Sequence, residues 1–244
     1  MFGYLRVEVA RSLRDPKYLA LAVVAPIGFY LLFAGLFGSG QGNEGLTQKV
    51  ALMISMGVFG AMWAVLSATG PRIAQERSVG WLRQLQLLPV RPEAVMTARL
   101  LAAMLLAGPT IVLVFITAAL THGVTLDAWK WVALLALLWL GVTPIAALGI
   151  AIGYATNAEA AFGILYGIYM AISALGGLWM PLTMLPSSFQ TLGKLLPSYR
   201  AADLGWRLVA GQSFDVTNVL FLLAWGIVFS LVALYVAGRV EHSR

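Results

Sequence analysis

The sequence predicts an all-α integral membrane protein with six transmembrane helices, an amphipathic interfacial helix at the N-terminus, and short external helices before the last span. Three observations carry this. Of 244 residues, 60% are apolar and 11% charged, whereas a soluble domain is about half apolar and about a quarter charged. The charges divide the chain into six uncharged runs, between Lys17 and Glu44, Lys49 and Arg72, Arg99 and Asp127, Lys130 and Glu159, Glu159 and Lys194, and Asp215 and Arg239. Each exceeds the ~20 residues an α-helix needs to cross the hydrocarbon core. No ~10-residue alternating pattern of barrel strands is visible, and lone segments in lipid must satisfy their own backbone as helices.

Residues 1–16 come first. Phe2, Leu5, Val9 and Leu13 share one helical face, with Glu8, Arg11, Arg14 and Asp15 opposite, the pattern of a helix lying in the membrane interface. Asp15-Pro16 ends it and opens the first span as N-cap and N1. The spans are expected at about 18–37, 50–69, 98–121, 131–155, 160–181 and 217–238, making 1–244 a single transmembrane domain. The first run is longer than the ~7–15 residues of a signal-peptide apolar region. Segment 71–92 is the one long loop on its side of the membrane, and 182–216 the long one on the other.

The cations orient the bundle. Arg6, Arg11, Arg14, Lys17, Arg72, Arg77, Arg83, Arg91, Arg99, Arg239 and Arg244 fall on one side, and Lys49, Lys130, Lys194, Arg200 and Arg207 on the other. Cytoplasmic loops hold the excess of Lys and Arg, so both termini and loop 71–92 are expected in the cytoplasm, in a multi-pass bacterial plasma-membrane protein. The same bias accounts for the net charge of +6 without nucleic acid as a partner.

Several chemistries are excluded. There are no cysteines and two histidines, His122 and His242, which form no metal-ligand or catalytic constellation. No GxxxxGK[ST] phosphate loop is present. No ionisable residue sits mid-span, which argues against a proton- or sodium-coupled carrier. The expectation is no catalytic residue, no metal and no cofactor held by this chain.

Other features could carry function. Loop 71–92 mixes Trp81, Leu82, Leu85, Leu87 and Leu88 with arginines, a patch suited to the membrane surface or to a docking protein. Beyond Pro181, Ser187 or Ser188 could cap a short helix carrying Phe189, Leu192, Leu195 and Leu196. A second helix after Pro197 would align Arg200, Asp203 and Arg207, letting Asp203 pair with both arginines. Both helices are expected to dip into the outer headgroups or cover a pore mouth. Spans two and five carry Met53, Met56, Phe59, Met62 and Trp63, then Tyr166, Tyr169, Met170, Trp179 and Met180, adaptable side chains found in cores, against lipid, or on promiscuous apolar surfaces. Gly149/Gly153 and Gly163/Gly167 form two GxxxG pairs, which serve internal packing or a subunit interface. Pro26, Pro109 and Pro144 can kink their helices.

Two stretches resemble a known family. Glu76-Arg77-Ser78-Val79-Gly80-Trp81-Leu82-Arg83-Gln84-Leu85 is similar to the E-R-x-x-G-T-L-x-x-L stretch of ATP-binding-cassette permease subunits of the type-2 exporter (ABC-2) class, and Leu87 to Pro92 fits its proline-containing end. Gly176-Gly177-Leu178-Trp179-Met180-Pro181 through Pro186 resembles that class's G-G-x-x-x-P-x-x-x-x-P run. Pro197, Tyr199, Arg200 and Arg207 resemble its P-x-x-Y…R element, with Tyr199 one position early and Trp81 in place of Thr.

The resemblance implies an exporter subunit that pairs with a second copy of itself or a homologous permease, within membrane lipid, above separate ABC ATPase subunits that bind ATP and Mg. Glu76, Arg77, Gly80, Trp81, Leu82, Arg83 and Leu85 would form the coupling element, with the N-terminal helix bracing it. Met56, Phe59, Met62, Trp63, Tyr166, Tyr169, Met170 and Trp179 would border the substrate path between spans two and five. Pro181, Pro186, Pro197, Tyr199, Arg200, Asp203 and Arg207 would form an external gate or lid. A path without charge implies hydrophobic or amphipathic cargo: a drug or antibiotic, a lipopeptide or a lipid. The alternatives are a secondary carrier for apolar solutes and a non-transporting membrane assembly protein.

Overall fold

A computed structural model describes residues 20–79 and 92–242; the expected interfacial helix at 1–16 lies outside them. Among the described residues the fold is all helical, with six helical stretches long and apolar enough to cross a membrane. A π-turn at Ala20–Val24 leads into α1 (Ala25–Phe37). α2 (Gln48–Ser78) and α3 (Pro92–His122) are the longest elements. α4 (Ala128–Gly141) and α5 (Thr143–Ala155) together make the fourth span. α6 (Ala158–Leu175), α7 (Ser187–Leu195), α8 (Pro197–Val209) and α9 (Val216–His242) complete the chain.

α2 is the axis of the bundle. A helix apolar all round is stable only when covered all round, and 89% of its most apolar window is buried within the chain itself. α1, α3, α5, α6 and α8 all pack on it. Its length corrects an expectation: the helix continues past residue 69, through Pro71, to Ser78. Pro71 denies one carbonyl its donor and adds ring crowding, but the helix runs on through it, with Thr69, Gly70, Ile73 and Ala74 buried on either side. The loop therefore begins at Val79 rather than at Pro71.

Proline has the opposite effect in the fourth span. Pro144 sits in the first turn of α5, and Val142, at φ −88° and ψ −1°, is a turn residue that splits the run into α4 and α5. The missing N–H and ring clash account for the break.

Gly149 and Gly153 of α5 pack directly on α2. A Cβ on Gly149 would meet Thr69 Oγ1 at 2.0 Å, and one on Gly153 would meet the Gly70 carbonyl at 2.7 Å. Gly163 and Gly167 of α6 differ: both are exposed, with nothing within 4 Å of a Cβ. One spacing serves packing inside the protomer and the other points out of it.

The fifth span also ends early. Expected to reach residue 181, α6 stops at Leu175. Leu178 N–H donates to the Ser173 carbonyl and Gly177 N–H to that of Ala174, with Gly177 at φ +70°. That is a Schellman stop, whose left-handed position calls for glycine. Trp179 and Met180 thus lie on a returning turn, not on a membrane helix.

The segment after this turn is less peripheral than expected. α8 packs into its own chain: Ala201, Ala202, Leu204, Gly205 and Trp206 are buried. It descends between α2 and α4, where a Cβ on Gly205 would meet Ile54 and Leu134 at 2.8 Å. α7 keeps Phe189, Leu192 and Leu195 exposed. The bundle thus has a lid end, where α2 begins beside α8, and a loop end, where α2 finishes at Ser78.

Candidate coupling end, aromatic seam and lid

At the loop end, two adjacent residues of α2 reach in different directions. Glu76 accepts a hydrogen bond and ion pair from Arg99 of α3, with side chains 18% and 6% exposed. Such a buried pair is stable only with both partners present. The Arg77 guanidinium donates to the carbonyls of Gly153, at 3.1 Å, Tyr154, and Thr156, at 3.2 Å. Those carbonyls close the C-terminal end of α5, where an α-helix leaves acceptors without partners and favours a cation.

Both charges expected to face a partner protein are therefore engaged within the chain. Gly80, Trp81, Leu82, Arg83 and Leu85 lie outside the described residues. In the sequence Arg99 marks only the edge of the third apolar run and one of the orienting cations. An arginine at the mouth of a span, 23 residues from Glu76, was the available signal for this pair.

The expected path residues form an aromatic seam. Met56, Phe59 and Met62 are fully buried, as is Tyr169, and Trp63 is 1% exposed. They belong to the protomer's own core. Phe59 stacks on Tyr169 at 4.6 Å, and the Tyr169 hydroxyl donates to the Phe59 carbonyl at 3.1 Å.

From Trp63 the seam runs outward to Phe162, at 5.6 Å, and Tyr166, at 6.0 Å. Both of these are exposed on α6, while Met170 is half-buried. Trp179 closes the lid-end limit of the seam, 5.9 Å from Phe59 and 6.2 Å from Phe29 of α1. Phe29 was not singled out because a phenylalanine in an apolar run carries no mark of its neighbours. Beside Trp179 is a cleft lined by Asn43, Gln48, Ser55 and residues 177–181, with an inner volume of about 10 Å³, room for about one water molecule. It is smaller than the ~300–1,000 Å³ of a drug-sized site.

The lid end carries a buried polar network. Asp203 was expected to pair with Arg200 and Arg207 across an exposed face. It is instead 3% exposed, and Asn218 of α9 stands between the charges. The Asn218 amide donates to Asp203 Oδ2 at 2.6 Å and its carbonyl accepts from Arg200 at 2.8 Å. Asn218 is itself fully buried. A lone amide in an apolar span was the signal for it, since such a side chain needs a polar partner in lipid.

The Arg200 guanidinium also lies over the Phe221 ring at 4.2 Å. Burial pushes the Asp203 carboxyl above its ordinary value, with Glu44 adding to the rise and Asn218, Arg207 and Arg200 opposing it. Burial also raises the Tyr199 phenol, with Asp203 and Glu44 adding to it. Pro181, Pro186 and Pro197 start the short helical segments that follow them, where a residue without an N–H costs least.

The comparisons with known proteins agree with this architecture. The ABC-2 type transporter family profile matches residues 3–205. A protein of Bacillus subtilis (strain 168) named "Putative transport permease YvfS" is 30% identical over 236 residues, covering 96% of this chain and 95% of the relative.

Proposed function

The chain belongs to the ABC-2 type transporter family, and from that premise we propose that it is the membrane-embedded half of an ATP-driven exporter. It is a multi-pass transmembrane transport subunit. In this reading two copies, or this chain and a homologous permease, pair in the plasma membrane with their termini in the cytoplasm. Separate ABC ATPase subunits bind ATP and Mg and dock on the loop that follows Ser78. Trp81, Leu82 and Leu85 supply docking area, and Arg83 the charge that sets register. ATP favours one of two arrangements of the helices and so drives their exchange.

The cargo is hydrophobic or amphipathic. One observation carries this: a continuous aromatic seam leads from the buried face of α2 at Phe59 and Trp63 to the exposed face of α6 at Tyr166. The charged residues of the described spans lie towards the helix ends, so nothing on that seam would stabilise a bare ion. Because the protomer cleft beside Trp179 is small, the path is assigned to the face between two copies. Gly163 and Gly167 on that same exposed face leave room for another backbone to approach.

The test is purification of the tagged chain from its own membrane, followed by reconstitution with whatever ATPase accompanies it. Vanadate-sensitive movement of a fluorescent amphiphile is expected, with no ATP hydrolysis by the chain alone. Transport that survives vanadate and collapses with a proton ionophore would establish a secondary carrier instead.

A further inference from the structure

We infer that Arg77 is a positioning residue, a mechanical tie through which a displacement arriving at the loop after Ser78 reaches the end of α5. Glu76 completes the joint by tying the same turn of α2 to α3. This rests on the coupling reading above, but assigns Arg77 a role opposite to a docking contact: it faces into its own chain.

The geometry is specific. One guanidinium meets three carbonyls, those of Gly153, Tyr154 and Thr156, which span the last residues of α5 and the turn before α6. Ala155 ends α5, and Asn157 caps α6 by accepting from Ala160 N–H at 2.8 Å. Arg77 therefore grips the hinge between two helices, rather than a point along one.

The forked, planar guanidinium can serve several acceptors at once, which an ammonium cannot do in the same geometry. Directly above, α2 and α5 are in backbone contact, with Gly70 against Gly153. The two helices thus touch without intervening side chains and are bolted at their ends. One residue earlier, Glu76 holds the buried Arg99. A shift of the last turn of α2 must move Arg99 of α3 and the α5–α6 hinge together, or break a charge-assisted bond. α6 bears the outward end of the aromatic seam, so the tie joins the loop to the face where cargo would pass.

The chain has no cysteine, so labels can be placed at will. In nanodiscs, spin labels at Val79 and Glu159, both exposed, should report one narrow distance by electron paramagnetic resonance. Arg77→Gln should broaden it, Arg77→Lys should restore it in part, and a lid-end pair at Thr125 and Ser213 should stay narrow. An unchanged width in Arg77→Gln overturns the tie. Broadening of both pairs also overturns it, because Arg77 would then serve general stability.

In the complex with its ATPase, Arg77→Gln should reduce the ATP-driven change at Glu159 by about threefold or more per ATPase bound. Loss of ATPase binding instead would make Arg77 a docking contact and overturn the proposal. If no ATPase accompanies the chain, the coupling reading fails, and the nanodisc distances still decide whether Arg77 ties α2 to α5.

Discussion

The Trp206 indole of α8 donates a hydrogen bond to the Ala51 carbonyl of α2 at 3.1 Å, with both residues buried. This contact makes the helix before the last span part of the core. Trp206→Phe removes the donor and opens a void beside Tyr199, whose ring lies edge-on at 5.7 Å. The expected loss is about 2 kcal/mol, read as a lower thermal midpoint in nanodiscs. A midpoint within error of the parent would show that α8 does not help hold the bundle together.

Asp203 makes that helix sensitive to pH. Its native carboxyl titrates above the ordinary 3.8, so between those two values the folded chain holds more protons than the unfolded one. Stability from this group is fully present below the ordinary value and lost as pH rises through the raised one. Acidifying from neutral pH towards the ordinary carboxylate range should increase amide-exchange protection in 197–209. Asp203→Asn should flatten that dependence. Equal pH slopes in the parent and Asp203→Asn would contradict the assignment.

The two glycine pairs should part company under mutation. Gly153→Ala places a methyl 2.7 Å from the Gly70 carbonyl and 2.8 Å from Ile73 Cβ, so it should cost the protomer about 1–3 kcal/mol. A Cβ at Gly163 has nothing of its own chain within 4 Å, so Gly163→Leu should leave the chain's melting unchanged while weakening self-association in light scattering. If Gly163→Leu melts early and still pairs, the exposed face of α6 is not the contact between copies.

Docking should rest on the loop after Ser78. Trp81→Ala and Leu85→Ala are expected to weaken recovery of the ATPase by at least about tenfold. Arg99→Ala should instead destabilise the permease itself, because it strands the Glu76 carboxylate in a buried pair. Quantitative pull-downs beside thermal melts separate the two effects.

The six crossings were legible because charge is costly in hydrocarbon, and the chain advertises each crossing as a gap between charges. The long apolar stretch of α2 could be read in the same way, but its end could not. Pro71 is an ordinary stop signal, and the helix passes it where Thr69, Gly70, Ile73 and Ala74 are buried against other elements. Arg77 illustrates the harder limit. Among many arginines it looks like any other, and its partners are the carbonyls at the end of α5, the first of them 76 residues away at Gly153. Likewise Gly149/Gly153 and Gly163/Gly167 have the same spacing and opposite surroundings. Asn218 was the missed opportunity, since a solitary amide in an apolar run announces a partner even when that partner cannot be named.

Because α2 is sheathed by its own chain, the apolar surface left open lies on the outer helices, above all on α9, only 11% of whose apolar window is covered. A thicker or thinner bilayer acts first on that rod, by tilting it. Asn218 fastens its first turns to the helix that Trp206 pins against the central one. A change in acyl-chain length would then reach the sheathed axis without any molecule binding to it.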